Sequence, residues 1–155
     1  MQHQFHCTAK FSGGYHGQGT IDNRNLKTKI SIPKEMDGPD VGTNPDELLL
    51  SAAITCFTIT LSSFFHKNNI SVEINHVEGT ATVSKTNHVL NYESIEYEVH
   101  LVDSTDQTDK KYDDKRLIRY TEQAEKNCMI TRAVKGNVDI KIIKIVRNEK
   151  TIFNQ

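Results

Sequence analysis

From Leu48 to Phe65 the chain runs eighteen residues, LLLSAAITCFTITLSSFF, without one charge. A segment of this kind must leave water over most of its surface. It can cross a membrane, fill the core of a soluble domain, or fill a core while carrying a reactive group, since Cys56 lies in its middle. The length only just meets the lower limit for a bilayer span. Six hydroxyl residues (Ser51, Thr55, Thr58, Thr60, Ser62 and Ser63) add transfer costs, and no Lys or Arg flanks its N-terminal end. A helix buried on nearly every side is the expected structure. Its start is marked by Asn44 as N-cap, Pro45 in the first turn and Glu47 at the capping-box position, with Asp46 and Glu47 facing the positive end of the helix dipole. "KNN" at Lys67–Asn69 ends it.

Such a helix needs a domain around it, and the rest of the 155 residues supplies strands. "HQFHCTAKF", "SGGYHGQG" and "GTIDNRNLKTKISIP" read as short strands with glycine turns, and "PKEMDGPDVGTNP" as a loop entering the helix. "SVEINHVEGTATVSK" and "YESIEYEVHLVD" follow, the latter alternating Ile95, Tyr97, Val99 and Leu101 with polar residues, as in a half-buried antiparallel sheet. After the polar connector "STDQTDKKYDDK", a second helix is expected over Asp113–Asn127, then a short turn of helix stopped by Gly136, then a last strand in "NVDIKIIKIV". Strands and helices in separate runs predict one α+β domain over residues 1–155.

The net charge of −1 offers no basic field for nucleic acid. The first twenty residues, with four glycines and no apolar run, do not read as a signal peptide. Cys7, Cys56 and Cys128 are an odd set without a CxxC pair, which points away from a disulfide scaffold or zinc ribbon and towards a reducing cytoplasm. Cys56 and Cys128 both fall at expected buried helical positions. Each can be a small core hydrophobe; reactivity would require donors or a cation to favour the thiolate.

"GTNPDELLLSAAITCF" followed by "AEKNCMITRAVKGNVDI" resembles the OsmC/Ohr family of organic hydroperoxide peroxidases. There "NPEEL" opens a long helix bearing the peroxidatic cysteine, and the resolving cysteine follows in a CP motif. The resemblance runs over the whole chain in order. It implies an OsmC-like fold, with antiparallel sheets around a central helix in an intertwined homodimer. It also implies a peroxidatic Cys56, a resolving Cys128, and Asp46 and Glu47 at the positions of the family's carboxylates. The implied partners are an organic hydroperoxide and a dithiol reductant, either a lipoylated protein or a small thiol, with no cofactor.

Two departures stand out. Met129 replaces the proline after the second cysteine, at a position where no chemistry is expected. In the glycine hairpin, where the family has an arginine, "GGYHGQG" offers Tyr15 and His16. Arg24 and Arg132 are the other cations that could serve the thiolate. Ten helical residues span about 15 Å, so a carboxylate serving Cys56 must come from another chain or a bent-back loop. Phe57, Phe64 and Phe65 are candidates for an apolar substrate pocket or for ordinary core.

Two other classes compete with a peroxidase. One is a non-catalytic redox sensor or binder of small apolar ligands on the same fold. The other is metal binding by the seven histidines, which are scattered in sequence, with only His3 and His6 close enough to suggest a zinc-type pair; no metal site is expected. Cys7 has no partner motif and reads as a bystander.

Overall fold

The computed structural model describes residues 1–104 and 113–155, so most of the polar connector lies outside the described residues. The chain divides into two compact units, Met1–Leu48 and Leu49–Gln155.

The first unit is an antiparallel sheet of β1 (Cys7–Ser12), β2 (Gln18–Asn23) and β3 (Lys27–Ser31), in that order. A 3-10 turn over Gly14–His16 joins β1 to β2, entered through Gly13 at φ 93°, a left-handed conformation that glycine adopts without strain. Beyond β3, the Ser31 hydroxyl accepts the backbone N–H groups of Val41 and Gly42 at 2.9 and 3.2 Å, folding the loop back on the strand. Buried Asn44 then caps the long helix α1 (Pro45–Lys67), its side-chain oxygen accepting the N–H of Glu47 at 3.0 Å. The Glu47 carboxylate accepts from the Thr43 hydroxyl at 2.7 Å, where a capping box would have sent it to the Asn44 backbone.

The second unit holds the body of α1, a four-stranded sheet of β4 (Val72–Thr86), β5 (Val89–Asp103), β6 (Asp139–Arg147) and β7 (Lys150–Asn154), and the helices α2 (Asp114–Asn127) and α3 (Met129–Val134). α1 ends in a Schellman motif. Asn69 takes φ 52°, its N–H donates to the His66 carbonyl, and Ile70 N–H returns to the Phe65 carbonyl at 2.9 Å. Phe65 and Ile70 are both core residues, so the stop signal is also an apolar clasp. The β4–β5 and β6–β7 hairpins turn on Asn87–His88 and Asn148–Glu149, each pair with both φ angles positive, as two-residue type I′ turns require. β7 was not expected; "RNEKTIFN" carries its turn signal only in Asn148. β5 and β6 run parallel, which departs from wholly antiparallel sheets, and α2 and α3 lie in the crossover that a parallel pair demands.

The core of this unit joins Ala53, Phe57, Leu61 and Phe65, one stripe of α1 at intervals of four, to the inward residues of β5 (Ile95, Tyr97, Val99, Leu101), to Leu117, Tyr120 and Ala124 of α2, and to Ile142 and Ile145 of β6. Phe57 stacks on Tyr97 with ring centroids 4.8 Å apart and planes 10° off parallel. α1 also comes close to β4 at Gly79, where an added Cβ would lie 3.1 Å from Leu50 Cδ1 and 3.2 Å from Ile54 Cδ1. α1 is long and apolar enough to cross a membrane by length and composition. This stripe packs against the core, but it alone is buried, which corrects the expectation of a helix buried on nearly every side. The chain is α+β, with two sheets and a long helix between them in sequence.

Candidate active site

Cys56 sits on α1 between the buried positions Ala53 and Phe57, one residue off the stripe, and is only partly covered. Cys128 is fully buried. It was expected within a helix and does not lie in one. It is the hinge residue between α2 and α3, with an extended backbone (φ −60°, ψ 126°), ending one helix and capping the next. This hinge turns α3 so that its first backbone N–H groups face the sulfur of Cys56.

Both cysteines are free and hydrogen-bonded to each other. Burial is the largest single influence on Cys56 and works against ionisation. It is outweighed by four donors: the Cys128 thiol, the backbone N–H groups of Ile130 and Met129, and the Thr60 hydroxyl. Together they hold the Cys56 thiol below its ordinary range. Cys128 is pushed the other way, by burial first and then by its bond to Cys56, with Thr131 offsetting only part. The two shifts run in opposite directions and polarise the pair, with Cys56 the more readily ionised sulfur and Cys128 the less. Thr60 has a single proton, which also reaches the Cys56 carbonyl oxygen at 2.8 Å, so its donation can go to either acceptor.

Met129 corrects an expectation. Its backbone N–H is one of the groups lowering Cys56, so chemistry does depend on that position. Phe57 does not line an open pocket; it is fully buried in stacked contact with Tyr97, and Phe65 is likewise core. Sequence reasoning missed Thr60, Thr131 and Tyr97. The Tyr97 hydroxyl is buried, finds no hydrogen-bond partner among the described residues, and has its ionisation suppressed, first by burial and then by the nearby Cys128, Glu125 and Cys56. An open cleft of about 640 Å³ runs beside α3, lined by Glu125, Thr131, Arg132 and Asp139 among others. Thr131 both lines it and meets Cys128. Burial pushes the Glu125 carboxyl up.

The remaining expected residues lie in the first unit. Asp46 and Glu47 form the first turn of α1. Tyr15 and His16 sit in the 3-10 turn, their rings edge to face at 5.4 Å, with the Tyr15 hydroxyl donating to the Met36 carbonyl. The histidines are less scattered than in sequence, because strand register places His76 opposite His100.

The OsmC-like protein family matches residues 37–143. The uncharacterized protein YmaD of Bacillus subtilis is 40% identical over 141 residues, covering 90% of this chain and 92% of its own. The organic hydroperoxide resistance protein OhrB of the same organism is 28% identical over 137 residues, covering 87% and 95%. Its crystal structure aligns with a TM-score of 0.63 over 93% of this chain and 98% of that one, at 23% identity. An OsmC-like protein of unknown function from Vibrio cholerae aligns with a TM-score of 0.73 at 15% identity, over 92% and 100%. With a family match over most of its length and a relative of this identity along nearly all of it, the chain belongs to the OsmC-like protein family.

Proposed function

We propose that this protein is a thiol-dependent peroxidase that reduces organic hydroperoxides. The observation carrying this reading is the polarised pair: a partly exposed cysteine whose ionisation is eased, beside a buried second cysteine whose ionisation is suppressed. The Cys56 thiolate attacks the peroxide oxygen, the O–O bond breaks, and the alkoxide leaves as alcohol after taking a proton. Cys56 is then a sulfenic acid. The Cys128 sulfur displaces hydroxide from it, which departs as water with a proton, and an intramolecular disulfide forms. An external dithiol reduces that disulfide by exchange, restoring both thiols. The reductant is a lipoylated protein or a small thiol, and a reducing cytoplasm suits a cycle that must return both cysteines to thiols.

The working unit in this proposal is a homodimer of one OsmC-like domain per chain. The face of α1 opposite its core stripe supports it. Ser51, Ala52, Thr55, Ile59 and Ser62 are uncharged, mostly small and exposed, and Ile59 keeps 65% of its surface. Asp46 and Glu47 serve the thiol of the partner chain in this arrangement, and Tyr15 and His16 flank the substrate.

The test is stopped-flow oxidation of the reduced protein by cumene hydroperoxide and by hydrogen peroxide, with mass spectrometry of the product. The expected result is a Cys56–Cys128 disulfide, formed faster with the organic peroxide, and no peroxide consumption by Cys56→Ser. Absence of any Cys56-dependent consumption would overturn catalysis and favour a redox sensor or ligand binder on this fold.

A further inference from the structure

β4 carries a bulge between Ile74 and His76. Before it, Val72 and Ile74 face the core; after it, the core-facing residues are Val77 and Ala81. The extra residue shifts the alternation by one, so His76 and Glu78 turn to the outer face of the sheet. On β5 the core-facing residues are Ile95, Tyr97, Val99 and Leu101, which leaves His100 on that same outer face, directly across from His76. Without the bulge His76 would point inward, away from His100.

The result is a cluster of two imidazoles and a carboxylate. One ligand atom from each of His76, Glu78 and His100 lies within 4.8 Å of the others, and His76 Nε2 is 3.4 Å from Glu78 Oε1. The two rings stack with centroids 4.1 Å apart. His100 Nε2 is buried and has no hydrogen-bond partner among the described residues, so this imidazole holds an unsatisfied nitrogen. Opposite it across the strands, Glu78 faces Glu98, and Lys144 neutralises only Glu98, at 3.1 Å.

We propose that His76, Glu78 and His100 form a surface binding site for a borderline divalent cation of the Zn²⁺ type. Two neutral nitrogens and a carboxylate are the donor set such ions prefer, and they leave a fourth position for water. Bonds of about 2.0–2.1 Å in a tetrahedral centre put neighbouring ligand atoms about 3.4 Å apart. The His76–Glu78 separation already has that value. Rings stacked nearly parallel cannot both point a nitrogen lone pair at an ion between them, so one must turn about its Cβ–Cγ bond, a soft torsion for histidine. His76, with a side chain 45% exposed, has room to do so. The cation would satisfy His100 Nε2 and clamp β4 to β5 beside the bulge. The site is separate from the cysteine pair and does not rest on the peroxidase reading.

The test is a titration of the full chain with Zn²⁺ alone, followed by the histidine ring resonances and by calorimetry. Resolution by residue keeps binding at the thiols or at His3 and His6 from imitating the result. Saturable shifts of His76 and His100 at sub-millimolar Zn²⁺ are expected, with at least about tenfold weaker binding at this site in His100→Ala and in His76→Ala. Glu78→Gln, which keeps size and fold, should also weaken it. Rings of His76 and His100 that do not move in the unaltered protein, or affinity unchanged in Glu78→Gln and both alanine variants, would overturn the proposal.

Discussion

The backbone N–H of Met129 donates to the sulfur of Cys56, and that donor exists only because residue 129 is not proline. A proline, which the resemblance would lead one to expect at this position, supplies no N–H. Met129 starts α3, a position where proline is well tolerated, so the exchange can be made without breaking the helix.

Met129→Pro should therefore raise the pKa of Cys56. A hydrogen bond to a charged group contributes about 1.5–3 kcal/mol, and partial exposure of the sulfur reduces this, so a modest but measurable rise is expected. The midpoint of the iodoacetamide alkylation rate against pH measures it. A midpoint that stays in place would remove Met129 from the site.

The three cysteines should separate in reactivity. With limiting alkylating agent at neutral pH, Cys56 reacts first, exposed Cys7 at the rate of an ordinary thiol, and buried Cys128 last. Peptide mapping reads the order, and a Cys56 no faster than Cys7 contradicts the polarised pair. Cys128→Ala removes a donor and slows Cys56, whereas Cys128→Ser retains an O–H and slows it less.

Tyr97→Phe removes a buried hydroxyl that has no partner among the described residues, while leaving the stack on Phe57 intact. Stability should stay level or rise by about 1 kcal/mol. A loss of more than that in urea unfolding would mean that the hydroxyl is satisfied in solution.

Arg147 binds Asp103 through two nitrogens at 2.8 and 3.1 Å and Asp114 at 2.8 Å, tying the ends of β5 and β6 to the start of α2. Burial raises the Asp103 carboxyl, but the bonds from Arg147 and Asn148 outweigh it and hold it below the ordinary range. A depressed carboxyl stabilises the fold fully above the unfolded pKa of about 3.9, and this is lost as pH falls through the lower folded value. Arg147→Ala should cost about 1–3 kcal/mol at neutral pH. The difference from the parent protein should shrink below about pH 4. Urea midpoints at both pH values decide it; a constant difference would assign the loss to packing.

Ile59→Lys places a charge on the exposed face of α1. If that face is the dimer contact, sedimentation at micromolar concentration will show a folded monomer for the variant and a dimer for the parent. A parent protein that sediments as a monomer sinks the shared-helix proposal.

What could be read from the residues follows the range of the interactions. α1 was legible at both ends, because Asn44 and the "KNN" stop act within one turn of the helix. The pairing of Cys56 with Cys128 came from resemblance, since nothing local links residues 72 apart. The donors that polarise it were hidden, because two are backbone N–H groups whose direction depends on the hinge at Cys128. The parallel register of β5 and β6 was hidden as well, as parallel and antiparallel strands share one alternation. His76 and His100 met only through a bulge, which shifts the parity that a reading of the strand assumes.

The parallel pairing of β5 with β6 also dictates when the two sulfurs can meet. A parallel neighbour requires the whole crossover to be laid down first, and such non-local pairings form late in folding. Cys128 rides on that crossover, while Cys56 belongs to a helix that emerges from the ribosome 72 residues earlier. On a nascent chain that has not yet made the crossover, Cys56 therefore lacks both its neighbour Cys128 and the N–H groups of α3, and the easing of its ionisation belongs to the completed fold and not to the helix that carries it.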